Sequence, residues 1–344
     1  MQIREAIAAV IARQDIAFDD MLAVVRQIMG GEATPAQIAG LLVGLRMKGE
    51  TVDEITAAAS VMRELSLKVA CDCTPLIDTC GTGGDAAGTF NISTASAFVV
   101  AAGGGFVAKH GNRSVSSSSG SADVLEAAGV TLALPPAQIA ASIRETGFGF
   151  MFAQAHHNAT RHAAAPRREL GVRTLFNVLG PLTNPAAAPL QIVGLFASDW
   201  VVKIAEVLQR LGVQRALVVN AADGLDEISI NAPTTIAELK DGRVREFEFR
   251  PETLGIAPAP LSTMKVANAT ESLSVLERVF ANEPGPARDI VALNAGAALH
   301  VCGFAEDLAE GYVRAGELLA SGAARERFAH YVEYSKALAG SEQK

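Results

Sequence analysis

Residues 77–129 constrain the fold more than any other stretch of this chain. They read IDTCGTGGDAAGTFNISTASAFVVAAGGGFVAKHGNRSVSSSSGSADVLEAAG. A short apolar strand, Leu76-Ile77, runs through Asp78-Thr79-Cys80 into Gly81-Thr82-Gly83-Gly84-Asp85. Such a turn has almost no side-chain bulk, so its backbone N–H groups can approach a ligand and form an anion-binding nest. Asn91-Ile92-Ser93-Thr94 then precede an apolar helical run, Ala95 to Ala102. Ser and Thr at such a junction can cap the helix, whose N-terminus is a further phosphate site. A strand at Phe106-Val107-Ala108 next delivers Lys109-His110-Gly111-Asn112-Arg113, a serine run from Ser114 to Ser121, and a helix from about 122 to 128. Three loops of phosphate-cradle composition within some 50 residues, each after a strand or before a helix, require a parallel α/β sheet. Ligands in such sheets sit at the carboxyl ends of the strands, where these loops emerge.

Lys109 and Arg113 supply positive charge to that cradle. The glycines do not follow the G-x-G-x-x-G order of a dinucleotide fold, and no G-x-x-x-x-G-K-[ST] loop is present, which argues against a nucleotide triphosphatase. The serine run does not read as a linker, because a strand and a helix flank it. Lysine and arginine number 29 against 37 acids, a net charge of −8, which argues against a nucleic-acid surface. An apolar share of 49% over 344 residues suffices for one large domain plus a smaller one. No uninterrupted apolar run has the length of a membrane span. The first residues, MQIREAIAAVIARQD, read as an amphipathic helix with no cleavage motif. Cys71, Cys73, Cys80 and Cys302 form no regular framework and are expected as free thiols in a reducing cytoplasm.

Residues 1–70 read as a small all-helical domain. Ile3, Ile7, Val10 and Ile11 share one face; a second helix opens at Phe18 or Asp19 and ends at Gly30-Gly31. Thr34-Pro35 starts a third helix, and Thr51 with Glu54 forms a capping box for a fourth. Their apolar faces (Ile38, Leu41, Leu42, Leu45, Ile55, Val61, Met62, Leu65) are wide enough to want a partner. Residues 71–344 are expected to form the α/β catalytic domain, with strands at 148–152, 190–196 and 215–219 and helices near 135–145, 155–164 and 199–211. A β-rich excursion follows at 236–262, then structural helices and a polar tail at 339–344. His156-His157 read as part of a solvated helix; adjacent helical side chains point apart and do not pair on a metal. Asp223, Asp226 and Glu227 follow the strand at 215–219. Three carboxylates there suit a hard cation such as Mg²⁺, and a solvated acidic turn is the alternative.

GTGGD, NIST and KHGNRSVSS with GSADVLEAAG behind it, in that order and spacing, resemble the anthranilate phosphoribosyltransferases of tryptophan biosynthesis, relatives of the pyrimidine nucleoside phosphorylases. The likeness spans nearly the whole chain and is strongest at 77–129, 166–185 and 223–229. It implies transfer of phosphoribose from phosphoribosyl pyrophosphate (PRPP) to the amine of anthranilate. Carried over by motif, Gly81, Gly84, Asp85, Thr89, Asn91, Ser93, Thr94, Lys109 and Ser121 bind PRPP. Gly81, Asn112 and Arg167 contact anthranilate, Arg167 by pairing with the carboxylate. Ser93, Asp226 and Glu227 hold Mg²⁺. The family pattern also implies that a segment near 163–185 returns to the helical domain as a hinge, and that this domain forms a homodimer. Association with an anthranilate synthase partner is open. The chain departs from the pattern at Ser118, Gln154, Asn158 and Asn220. Two other readings stand beside this one: a pyrimidine nucleoside phosphorylase-like enzyme, which should carry a different first glycine loop, and a non-catalytic nucleic-acid binder, which should lose GTGGD or the acids and gain basic surface.

Overall fold

The computed structural model describes residues 1–85, 87–114 and 118–341. Residues 115–117 of the serine run and 342–344 of the expected tail lie outside the described residues.

Four helices open the chain: α1 (Ile3–Ile11), α2 (Phe18–Met29), α3 (Pro35–Lys48) and α4 (Val52–Leu65). Their starts are set as the sequence predicts. Thr34 caps α3 with Gln37 reaching back, and Thr51 caps α4 with Glu54 reaching back. Ile38, Leu41, Leu42 and Leu45 of α3 are buried, as are Ile55, Val61 and Met62 of α4.

The chain then builds β1 (Leu76–Gly81), α5 (Ile92–Ala102), β2 (Phe106–Gly111), α6 (Ser121–Ala127), α7 (Pro136–Thr146), β3 (Phe148–Phe152), α8 (Ala153–His156), α9 (Arg161–Leu170), β4 (Leu190–Gly194), α10 (Val201–Arg210) and β5 (Arg215–Ala221). A hairpin, β6 (Thr234–Lys240) and β7 (Arg243–Phe249), precedes α11 (Ala269–Phe280), α12 (Pro286–Val301), α13 (Leu308–Ala320) and α14 (Ala323–Ser341). The seven strands form one sheet in the order β3-β2-β1-β4-β5-β6-β7. The first five are parallel and the hairpin adds two antiparallel strands. This is the small helical domain plus mostly parallel α/β sheet that the sequence predicts.

Two large cores pack on the sheet, with a smaller cluster of Leu76, Ala108, Met151 and the α7 residues Ile139 and Ile143 beside them. One joins α5, α12 and the carboxy-terminal helices, with Phe98 stacked on Phe148 at 4.3 Å between ring centres. The other is continuous from the amino-terminal bundle into Trp200, Ile204 and Leu208 of α10 and Val193 and Val218 of the sheet. The bundle therefore buries its wide apolar faces largely on its own chain. Ala163, Leu175, Phe176, Leu179 and Leu182 enter this second core, which carries the 163–185 segment against the helices.

Several expectations need correction. α5 begins at Ile92, so Ser93 and Thr94 sit inside its first turn and do not cap it; no side-chain cap bond forms at Asn91. The helix expected at 155–164 breaks into α8, a 3₁₀ turn at Asn158–Thr160 and α9. His156 and His157 are buried, not solvated: His156 Nδ1 lies 2.6 Å from the Leu67 carbonyl, and His157 packs edge-on to His110. The β-rich excursion ends at Phe249 and continues as 3₁₀ turns.

Candidate active site at the carboxyl ends of the strands

β1, β2 and β5 end at one edge of the sheet and release the loops that hold most of the predicted site residues. After β1, Gly83 and Gly84 take φ of +64° and +75°, which a side chain would resist. The loop is held to the acidic turn after β5: the Gly83 N–H donates to Asp226 Oδ2 at 2.8 Å. A Cβ at Gly81 would collide with that carboxylate, and one at Gly194 with the Asp226 backbone, so two strand-end glycines make room for Asp226.

Ser93, on the first turn of α5, links the basic and acidic sides. Lys109, from β2, is 1% exposed; its ammonium donates to the Thr79 carbonyl and to Ser93 Oγ at 3.2 Å. The Ser93 hydroxyl also faces the Glu227 carboxylate. Burial pulls the Lys109 ammonium down, against the opposing pull of Asp78, Cys80, Glu227 and Asp226. Asp226 and Glu227 keep a partly exposed edge, yet their surroundings desolvate them strongly. Desolvation, then the neighbouring Asp85 charge, pushes Asp226 up to about 7; desolvation, then Asp226, pushes Glu227 up to about 8. Ionised together, Asp85, Asp226 and Glu227 would carry more negative charge than Lys109 can match, and Asp226 and Glu227 hold their protons to higher pH as a result. Thr82 Oγ1 and Thr94 Oγ1 are buried in this region without a partner among the described residues.

A hard cation fits this donor set. Ser93, Asp226 and Glu227 offer only oxygen, and the excess carboxylate charge asks for a counter-ion. Asp223 does not belong with them: its carboxylate accepts from Ser229 Oγ at 2.7 Å and from the Leu225 N–H at 3.4 Å, so it shapes the turn. Arg113 also leaves the cradle. It forms a two-pronged pair with Glu126 at 2.7 and 2.9 Å and reaches Asp123 at 3.0 Å, out on the α6 surface.

The third loop closes on the second through Asn91, whose amide oxygen accepts from Ser119 Oγ at 2.9 Å and from Ser272 Oγ at 2.7 Å. Its Nδ2 donates to the Ser119 carbonyl at 3.2 Å. Ser121 opens α6, and its hydroxyl packs against Gly111, where a Cβ would collide with it. Thr89 sits in an isolated bridge to Lys265. Ser118 is exposed. Of the departures from the family pattern, Gln154 Nε2 contacts Asn112 Oδ1 at 3.4 Å, and Asn220 Nδ2 donates to the Leu195 carbonyl at 2.7 Å.

Arg167 stands apart from this cluster, on α9. It is half-buried over the Phe176 ring at 5.2 Å and has no carboxylate partner among the described residues. Burial alone lowers it. The segment it belongs to is tethered to the first loop by Arg173, which donates to the Gly84 carbonyl and stacks on Phe196 at 4.2 Å. Sequence reasoning missed Arg173, and it missed Asp78 and Asn184, which lie buried beneath the loops. The available signal for Asp78 was a charged residue inside an otherwise apolar strand.

Comparison with known proteins places this geometry. Residues 73–325 match the glycosyl transferase family a/b domain and residues 4–66 its helical bundle domain. The chain is 58% identical over 97% of its length to the anthranilate phosphoribosyltransferase of Thioalkalivibrio sulfidiphilus, covering 99% of that protein. It is 55% identical to that of Chromohalobacter salexigens, with both chains covered in full. The crystal structure of the Thermus thermophilus anthranilate phosphoribosyltransferase superposes with a TM-score of 0.91 at 43% identity, over 96% of this chain and 99% of that one. The Saccharomyces cerevisiae enzyme, solved with PRPP and Mg, shares the fold with a TM-score of 0.88 at 22% identity, over 97% of this chain and 98% of that one. No helix of the described residues is long and apolar enough to cross a membrane.

Proposed function

The chain belongs to the anthranilate phosphoribosyltransferase family, and from that premise we propose how its crevice carries the family's reaction. The activity is transfer of 5-phosphoribose from PRPP to the amine of anthranilate, giving N-(5-phosphoribosyl)anthranilate and pyrophosphate. The observation that carries the assignment to this crevice is the convergence of the Gly81–Asp85 loop, Ser93, Lys109, Asp226 and Glu227 at one sheet edge.

The chemical difficulty is to hold a weak aromatic amine against the sugar C1 while a highly charged group departs. Positioning and charge neutralisation supply most of such catalysis, and no nucleophile-base pair is required. Gly81, Gly84, Asp85, Thr89, Asn91, Ser93, Thr94, Lys109 and Ser121 hold PRPP, with its two phosphate ends in separate loops. The Thr94 hydroxyl, without a partner among the described residues, and the Lys109 ammonium support this use. Ser93, Asp226 and Glu227 hold Mg²⁺, which offsets pyrophosphate charge when bound; the yeast enzyme of the same fold was solved with both. Arg167, a half-buried guanidinium without a carboxylate partner among the described residues, pairs with the anthranilate carboxylate, and Gly81 and Asn112 line that side. The 163–185 segment serves as the hinge between a helical domain at 1–70 and the catalytic domain at 71–344; Arg173 supports this by tying it to Gly84. A homodimer through the bundle is supported by Ile11 and Met47, 74% and 71% exposed on its outer surface. The enzyme works in the cytoplasm, and association with an anthranilate synthase remains compatible with this reading.

The purified protein should consume anthranilate, seen as loss of its fluorescence, only when PRPP and Mg²⁺ are both present. It should not phosphorolyse thymidine or uridine. Phosphorolysis without anthranilate turnover would move the assignment to the pyrimidine nucleoside phosphorylase-like alternative.

A further inference from the structure

The seam between β1 and β2 changes character halfway along. Its ladder pairs Leu76 with Phe106 and Ile77 with Val107, then stops, whereas β1 stays paired with β4 from Ile77 to Gly81. A parallel ladder carried one step further would join Thr79 N–H to the Ala108 carbonyl and His110 N–H to the Thr79 carbonyl. Side chains occupy three of these four groups. Asn184 Nδ2 donates to the Ala108 carbonyl at 2.8 Å. The His110 N–H donates to Asp78 Oδ1 at 3.1 Å. The Lys109 ammonium takes the Thr79 carbonyl. Asp78 Oδ2 and Asn184 Nδ2 close the set at 2.7 Å, and the Asn184 oxygen accepts from the Ala186 N–H at 2.8 Å.

We propose that Asp78 and Asn184 form a buried wedge that parts β1 from β2 and so positions Lys109 for the anionic donor substrate. The wedge residues do not touch that substrate; they act through Lys109 and are positioning residues. Three observations carry this. Asp78 is 0% exposed and Asn184 1%, so their bonds are shielded from water. A polar group buried so deeply is costly unless it is bonded, and these are bonded to the strand edges themselves. Closing the ladder would return the Thr79 carbonyl to His110 N–H and so take from the Lys109 ammonium the acceptor that, with Ser93 Oγ, fixes its place. The Asp78 carboxylate also supplies a buried negative charge near that ammonium. Asn184 comes from the 163–185 segment, so the wedge joins the hinge to the floor of the crevice.

This inference rests on the reading of the crevice as a PRPP site, and steady-state kinetics separates the two. Asp78→Asn should raise the KM for PRPP about tenfold or more, the scale of one weakened charge-assisted hydrogen bond, and leave the KM for anthranilate unchanged. In a Lys109→Ala background the same substitution should add almost nothing to the PRPP KM, since the residue it acts through is gone. Asn184→Ala, which removes only the amide arm, should show the same split and serves if Asp78→Asn does not fold. An equal rise in both KM values, or additive effects of Asp78→Asn and Lys109→Ala, would overturn the wedge as a positioning device. A wild-type protein that does not turn over anthranilate at all would overturn the functional reading beneath it.

Discussion

The amino-terminal bundle and the carboxyl edge of the sheet both bury carboxylates, and they treat them differently. In the bundle, Glu54 is 0% exposed and accepts from Ile16 N–H and Thr51 N–H, each at 2.9 Å, and from the Lys48 ammonium at 3.1 Å. Every bond serves the fold: the carboxylate joins α4 to its own cap, to the turn before α2 and to the end of α3. At the sheet edge, Asp226 and Glu227 sit beside Asp85 with Lys109 as the nearby ammonium. Burial and mutual repulsion push both carboxyls up, a cost that packing elsewhere must offset. The comparison teaches where to look for ligand chemistry. A single buried carboxyl raised by burial, such as Glu50 of the bundle, marks no such place; a cluster of carboxylates that outnumbers its ammonium marks where a counter-ion and a charged substrate complete the charge balance.

The largest break of this contrast is removal of the unmatched pair. Asp226→Ala with Glu227→Ala should cut turnover by about a thousandfold or more and abolish its Mg²⁺ dependence. The metal-free variant should melt no lower than the wild type, because two desolvated carboxylates are gone. Near-normal turnover of the folded double variant would show that these acids do not hold the metal. A smaller effect is expected from Arg167→Ala. It should raise the KM for anthranilate by about tenfold to a hundredfold, the scale of a lost two-pronged carboxylate pair, with the PRPP KM steady. An equal rise in both would mark Arg167 as a closure residue. Smallest in its effect on chemistry, Met47→Glu on the bundle exterior should convert the proposed dimer to monomer in sedimentation at micromolar concentration with little change in melting temperature. A wild type already monomeric there would contradict the bundle interface.

The bundle was legible because local rules decide it. Threonine caps with Gln37 and Glu54 three residues on, and apolar residues at helical spacing, fix each helix before any tertiary contact. The three loops were legible for the same reason, since glycine and strand-helix alternation are written in consecutive residues. What escaped is non-local. Arg113 lies beside Lys109 in sequence, yet Glu126, thirteen residues on, draws it to the surface. His156 and His157 follow a polar pattern, yet the turn at Asn158–Thr160 buries them under the bundle. Asp223 sits three residues before Asp226, yet Ser229 claims its carboxylate. Asp78 and Asn184 are 106 residues apart and meet only through the tertiary fold.

The central claim, that unmatched carboxylate charge at the sheet edge awaits a divalent cation, is tested most directly by melting the protein with and without Mg²⁺ from pH 5 to pH 8. Asp226 and Glu227 are raised from the ordinary carboxylate values of 3.8 and 4.5 to about 7 and about 8 in the folded state. Raised acids favour the fold while protonated, so their contribution is present at low pH and is lost as pH rises through the folded values. The metal-free protein should therefore melt progressively lower from pH 5 to pH 8. Mg²⁺ binds the ionised pair, so its stabilising shift should grow over the same range and be absent in the double alanine variant. A Mg²⁺ shift that is flat with pH, or that persists without Asp226 and Glu227, would contradict the account.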